Sequence, residues 1–209
     1  MAANTESTPE AAPAGAATPA LAPTDLTPGL AQRIAPRAWR LVAPNASAMT
    51  GPGTNTYLLG DPPVAVLDPG PDDPAHLAAI LAVVPRPQQV FVTHTHRDHS
   101  PLAARLGADF GARLIGRRPP RDGRQDLSFE PAHEPGRDET FEAGGCRLRA
   151  IDTPGHASNH VCWLLEPDGL LFTGDHLLDG VTPVILAPDG DMTDYLDSLE
   201  RLRGYALSR

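Results

Sequence analysis

The chain has 209 residues, a formal net charge of −9, 41% hydrophobic and 21% charged residues. That length suits one domain with a tail, and the composition excludes wholesale disorder. No run approaches the ~18 apolar residues a membrane helix needs, and the acidic balance argues against a dedicated nucleic-acid binder.

All 17 basic residues are Arg, beside 24 Pro and 19 Gly. This reads as a high-GC, bacterial coding bias rather than a functional device. Cys146 and Cys162 are too few for a disulfide scaffold and read as reduced core residues. Residues 1–36 hold eleven Ala and six Pro. Their Pro spacing forbids a long helix and they offer little apolar bulk, so a disordered tail is expected, with the folded domain over 37–209. The segment lacks the basic start and apolar core of a secretory signal, so a cytoplasmic protein is expected.

In chain order, Ala38–Val42, Asn55–Leu59 and Val64–Leu67 read as strands separated by Gly51-Pro52-Gly53 and Asp61-Pro62-Pro63 turns. His76–Val84 has helical apolar spacing, with Asp72 or Asp73 as its cap. Gln89–Thr93 is a buried strand, and Ser100-Pro101 opens a helix to about Leu106 with Ser as N-cap. Arg113–Ile115 is a strand, and 117–138 a Pro/Gly/Arg-rich excursion. Strands at Cys146–Ile151, Val161–Leu165 and Leu170–Thr173 follow, then a helix at Thr193–Leu202. Strands with interspersed helices give an α/β or α+β class with helices covering sheets.

Three motifs each follow a strand. The first is Thr93-His94-Thr95-His96-Arg97-Asp98-His99, the second Thr153-Pro154-Gly155-His156, the third Gly174-Asp175-His176. The last two are weak alone. Together they place imidazoles and carboxylates at strand ends, where sheets gather ligands. His94 and His96 share a side at period two, and with His156 they would hold a zinc with an open fourth position. Asp98 and His99 would face a second ion, with Asp175 bridging. His176, adjacent to Asp175, is expected to face away, since strand neighbours point to opposite faces. His160 reads as a supporting or packing residue, His76 and His133 as surface, and Trp163 as core. Arg117, Arg118, Arg121 and Arg124 read as a solvated loop, with anion recognition as the functional alternative.

H-x-H-x-D-H, then T-P-G-H and a G-D turn, resembles the metallo-β-lactamase fold family. Gly51–Gly60 and Leu67-Asp68-Pro69-Gly70 resemble its opening strands. GPGTNTYLL, TPGHASNH and GDHLL are most similar to bacterial members related to the lactamase-β-2-like endoribonuclease. The resemblance implies an αββα four-layer sandwich and a dinuclear site. His94, His96 and His156 match the first metal, Asp98 and His99 the second, and Asp175 the bridge. It also implies two divalent ions, zinc by default with manganese or iron as alternatives. A metal-activated hydroxide would attack an ester, thioester or phosphodiester bond, with Asp98 both ligating and handling the proton. The family's last ligand is a His beyond the helix that Thr193–Leu202 matches. No His follows His176. The chain therefore reads as C-terminally truncated, its second site one ligand short. Three readings stand: a hydrolase of a small-molecule substrate, a single-strand RNA endoribonuclease, and a non-catalytic fragment binding one metal or none. Oligomeric state is left open.

Overall fold

The structure is a computed structural model that describes residues 25–208. Among the described residues, ten strands divide into two sheets. The first comprises β1 (Gln32–Ala35), β2 (Ala38–Val42), β3 (Asn55–Gly60), β4 (Pro63–Leu67), β5 (Gln89–Phe91) and β6 (Arg113–Ile115), neighbours in that order. Its first four strands are antiparallel, with short turns between β1 and β2 and between β3 and β4 and a longer loop, 43–54, between β2 and β3. The pairs β4–β5 and β5–β6 are parallel. A parallel step needs a crossover, supplied by α1 (Pro74–Val83) and α2 (Pro101–Phe110). The second sheet is antiparallel, in the order β10 (Leu170–Phe172), β9 (Val161–Leu165), β8 (Cys146–Asp152), β7 (Thr140–Ala143). A last helix, α3, spans Met192–Leu202.

Three apolar clusters define four layers. Between the sheets, Leu59, Leu67, Phe91 and Ile115 meet Phe141, Leu148, Trp163 and Phe172. On the outer face of the first sheet, Leu58, Val66 and Val90 pack against Leu77, Ile80, Leu102 and Leu106 of α1 and α2. On the outer face of the second, Ile151, Cys162 and Leu164 pack against Leu202 of α3. The order is therefore helix, sheet, sheet, helix, the expected αββα sandwich. Fully burying one such side chain contributes roughly 1.5–3 kcal/mol. Cys146 and Cys162 are free and buried, as expected. No helix among the described residues is long and apolar enough to cross a membrane.

The differences from the sequence reading have local causes. The tail was expected to reach residue 36, but β1 pairs with β2 through Gln32↔Arg40 and Arg33↔Trp39. The folded part thus begins before Arg37, and residues 1–24 lie outside the described residues. Strand β7 was not anticipated. Its Phe141 and Ala143 face the core while Thr140 and Glu142 are exposed. Ser100 makes no side-chain cap on α2; its hydroxyl instead donates to Asp126 at 2.8 Å. Asp73 does cap α1, accepting from the His76 backbone N–H at 2.8 Å. His76, expected at the surface, is 1% exposed, with its Nε2 2.9 Å from the Thr56 hydroxyl.

Candidate metal centre

The polar loops that leave β4, β5, β8 and β10 meet at one end of the two sheets. Two cross-sheet bonds hold that end together. The Val161 N–H donates to the Thr93 carbonyl at 2.7 Å, and the Trp163 indole N–H donates to the Val92 carbonyl at 3.2 Å. Trp163 is thus core, as expected, and also ties the sheets beneath the site. Gly174 (φ +48°) lies so close that a Cβ there would fall 2.6 Å from the Thr93 hydroxyl and 2.7 Å from His160 Nε2. Only glycine permits that approach, which brings Asp175 against the His94–His99 loop.

The structure brings all six candidate residues together in two overlapping groups. One is His94, His96, His156 and Asp175; the other is Asp98, His99 and Asp175. Within each group one donor atom per residue lies within 4.8 Å of every other. Nδ1 of His96 sits 3.0 Å from Nε2 of His94 and 3.0 Å from Nε2 of His156. The two oxygens of Asp175 diverge. Oδ1 is 3.3 Å from His99 Nε2, and Oδ2 is 3.6 Å from His156 Nε2. Asp98 Oδ2 lies 3.4 Å from His99 Nε2.

The surroundings fix which nitrogen faces inward. His156 Nδ1 bonds the Val184 carbonyl, so its proton is on Nδ1 and Nε2 carries a lone pair. His94 Nδ1 is 3.1 Å from the Thr93 hydroxyl, which donates to Asp68 Oδ2 at 2.8 Å. His99 Nδ1 is 3.1 Å from the same Asp68 oxygen. One buried carboxylate, 2% exposed, therefore orients an imidazole in each group. Asp68 also accepts the Thr93 backbone N–H at 2.7 Å. Sequence reading quoted Asp68 only as part of a strand-ending turn. The available signal was an acid directly after a buried strand, before Pro-Gly.

Charge follows burial and neighbours. Burial, then the surrounding imidazoles led by His99, pushes His94 well below the ordinary histidine range. Burial and the His156 and His99 rings bring His96 down to about 4. Both are therefore neutral, with lone pairs available. His99 goes the other way. Burial opposes its charge, but the carboxylates of Asp98, Asp175 and Asp68 outweigh it and raise it well above 6.5. Burial likewise opposes ionisation of Asp98 and Asp175, yet the His99 charge and hydrogen bonds hold both below the usual carboxylate range. Thr54 adds a hydroxyl bond of 3.0 Å to Asp98.

The other histidines stay outside both groups. His176 is 0% exposed, its ring 4.8 Å from that of Tyr195. His160 packs on His94 at 5.1 Å between ring centres and bonds Thr153 at 2.8 Å. His133 pairs with Glu139 at 2.8 Å. Beside the donors opens a cavity of about 440 Å³. Met49, Pro71, Val184 and Leu186 give it an apolar side, and Arg97 and Arg124 a basic one. The Arg run does not act together. Arg117 pairs with Asp152 and Arg118 with Glu134, away from the cavity.

The sequence profile of the metallo-beta-lactamase superfamily matches residues 49–207. A thioesterase, pkgB, from Emericella nidulans is 32% identical, the match covering 81% of this chain and 48% of that protein. An atrochrysone carboxyl ACP thioesterase from Aspergillus chevalieri is 34% identical over 70% of this chain and 47% of its own. The crystal structure of a metallo-beta-lactamase family protein from Thermus thermophilus superposes with a TM-score of 0.67. It is 26% identical, covering 81% of this chain and 70% of that one. The chain spans about half the length of the curated relatives it matches. Those relatives are fungal, so they carry the resemblance at the level of the superfamily and not of the bacterial endoribonuclease-related subgroup.

Proposed function

The chain belongs to the metallo-beta-lactamase superfamily, and from that premise we propose that it is a metal-dependent hydrolase acting on thioester bonds. The observation that carries this reading is the convergence of three imidazole nitrogens and a two-way carboxylate beside an open cavity. The donor set fits a borderline divalent ion. In a tetrahedron with Zn–N of roughly 2.0–2.1 Å, ligand atoms lie about 3.3 Å apart. The His96–His94 and His96–His156 separations are both 3.0 Å. His94, His96, His156 and Asp175 would hold one ion, and Asp98, His99 and Asp175 the other. Zinc is the ion we propose from the N/O donors. Bound there, the ions would polarise a carbonyl oxygen and ionise a water.

The chain's own groups do the rest. Val184 holds His156, and Asp68 through Thr93 holds His94, in the tautomers that leave Nε2 free, while Asp68 accepts directly from His99 Nδ1 and fixes that ring. Asp98 lines the cavity. Ionised by its neighbours, it is an acceptor, placed to orient an attacking water and take its proton. A carboxylate held ionised has no proton of its own for the departing group. That suits a thiolate, whose conjugate acid has a pKa near 8.5, better than an alkoxide, which needs a proton to leave. The apolar cavity side has room for an acyl chain. The thioesterases among the relatives agree with this choice.

The test is thiol release from a short-chain acyl thioester by the zinc-loaded chain. Release should stop with chelator, return with zinc, and be lost in His96→Ala and Asp175→Ala. Cleavage of single-stranded RNA with no thiol release would overturn the thioester reading. One ion or fewer per chain, with no turnover of thioester, ester or RNA, would make this a non-catalytic metal protein.

A further inference from the structure

We propose that Arg97 and Arg124 form a clamp at the mouth of the cavity for an oxyanion, a carboxylate or phosphate carried by the substrate. The first observation is how the two are placed. His96 and Gln125 form an isolated antiparallel bridge. In that register the residue after His96 lies across from the residue before Gln125, so Arg97 opposes Arg124. Like charges directly opposite one another are destabilising, and a guanidinium cannot shed its charge. Yet both line the cavity.

The second observation is what they lack. Among the described residues no carboxylate lies within 4.0 Å of either guanidinium. Four acids line the cavity, and all are engaged elsewhere. Asp98 and Asp175 belong to the metal-donor groups and face His99. Asp122 accepts the backbone N–H of Arg124 at 2.8 Å and the Gln125 amide at 3.2 Å. Asp189 accepts the Ser158 backbone N–H at 3.0 Å and the same amide at 3.4 Å. Each guanidinium instead touches a carbonyl: Arg97 that of Gly123 at 3.3 Å, Arg124 that of Ala187 at 3.5 Å. Both side chains are exposed, and those contacts leave most of their N–H donors unused.

The third observation is rigidity. Gln125, the anchor of this loop, is 2% exposed and accepts the Thr95 hydroxyl at 2.8 Å. Arg97 is therefore on the backbone that carries His94 and His96, and Arg124 is on a segment anchored to it. An anion between two guanidiniums would cancel their repulsion and gain charge-assisted bonds. A molecule with net charge −9 has no general attraction for anions, so selection would have to be local.

The turnover arm of the test rests on the hydrolase reading; the binding arm does not. Calorimetric titration uses two probes, glutarate and 4′-phosphopantetheine, against the zinc-loaded chain. Arg97→Gln/Arg124→Gln should weaken binding of the preferred probe about 10-fold, or ~1.4 kcal/mol. Arg121→Gln, on the same loop but outside the cavity lining, should not change it. The preferred probe shows whether the anion sits on the acyl part or on the carrier arm. Unchanged binding in the double variant, or an equal loss in Arg121→Gln, overturns the clamp. For turnover, one acyl group is presented three ways: as a neutral N-acetylcysteamine thioester, with a terminal carboxylate, and on 4′-phosphopantetheine. The wild type should prefer an anionic form in kcat/KM, and the double variant should bring that ratio toward 1. A ratio that survives the double substitution also refutes the clamp. Arg-dependent anion binding without thioester turnover would uphold the clamp and sink the hydrolase reading.

Discussion

Asp68→Asn separates orientation from ligation at the metal centre. Asp68 is not among the residues lining the cavity beside the site and belongs to neither donor group, yet its Oδ2 serves both His99 Nδ1 (3.1 Å) and the Thr93 hydroxyl beneath His94 (2.8 Å). Asparagine keeps the shape and tolerates the left-handed backbone there (φ +48°). It also keeps one oxygen for the Thr93 backbone N–H, a 2.7 Å bond. Its amide nitrogen then faces His99 as a donor where an acceptor stood. The His99 ring must then give up its Nδ1 proton and keep the one on Nε2, the atom that faces Asp98 and Asp175. Loss of such an outer partner costs about 10–100-fold in metal affinity, or roughly 1.4–2.7 kcal/mol. The folded chain also loses a buried bond to a charged acceptor, worth about 1.5–3 kcal/mol. Zinc competition against a chromophoric chelator measures the first, and urea unfolding of the metal-free chain the second. Wild-type affinity for every bound ion, in a folded Asp68→Asn chain, would refute this account of how the imidazoles are set.

Three further outcomes follow from the same structure. Burial pulls His76 from 6.5 down to about 4, so between those values the unfolded chain binds the proton and the folded chain does not. Stability should then fall as pH drops through that window, by up to ~3 kcal/mol from this group; His76→Gln should flatten the slope in urea titrations, and an unchanged slope would count against the burial. At Gly155 (φ +141°) a Cβ would sit 2.4 Å from the Tyr195 Cα, so Gly155→Ala should force the His156 loop off α3, losing roughly 2–4 kcal/mol and weakening zinc binding; a wild-type melting temperature would contradict it. Removing metal with chelator should remove the stabilisation that bound zinc supplies, about 2.7 kcal/mol at 100 times Kd, seen as a melting temperature lower by roughly 5–10 °C; no shift would mean that no ion is held in the folded state.

The site was legible because its chemistry is written in short, strand-terminating motifs. His94, His96, Asp98 and His99 lie within six residues, and His156 and Asp175 close their own turns. Strands β2 and β9 fall where alternation and apolar runs place them, at Ala38–Val42 and Val161–Leu165. What stayed hidden depends on contacts between distant segments. Strand β1 sits in an Ala/Pro-rich stretch and exists because β2 offers an edge. His76 carries no motif; its burial comes from the side of α1 on which it falls, where Thr56 of β3 meets it. Asp68 was visible only as a turn residue, since its role needs Thr93 and His99 brought to it. Arg97 was read past because its neighbours are the ligands. Its opposition to Arg124 arises from a single bridge between His96 and Gln125.

The central claim is that one cation sits among His94, His96, His156 and Asp175. Anomalous diffraction at the zinc edge from crystals of the zinc-loaded chain tests it directly. The account predicts a peak about 2.0–2.2 Å from His94 Nε2, His96 Nδ1, His156 Nε2 and an Asp175 oxygen. No peak there, or zinc bound only at surface carboxylates, would contradict it.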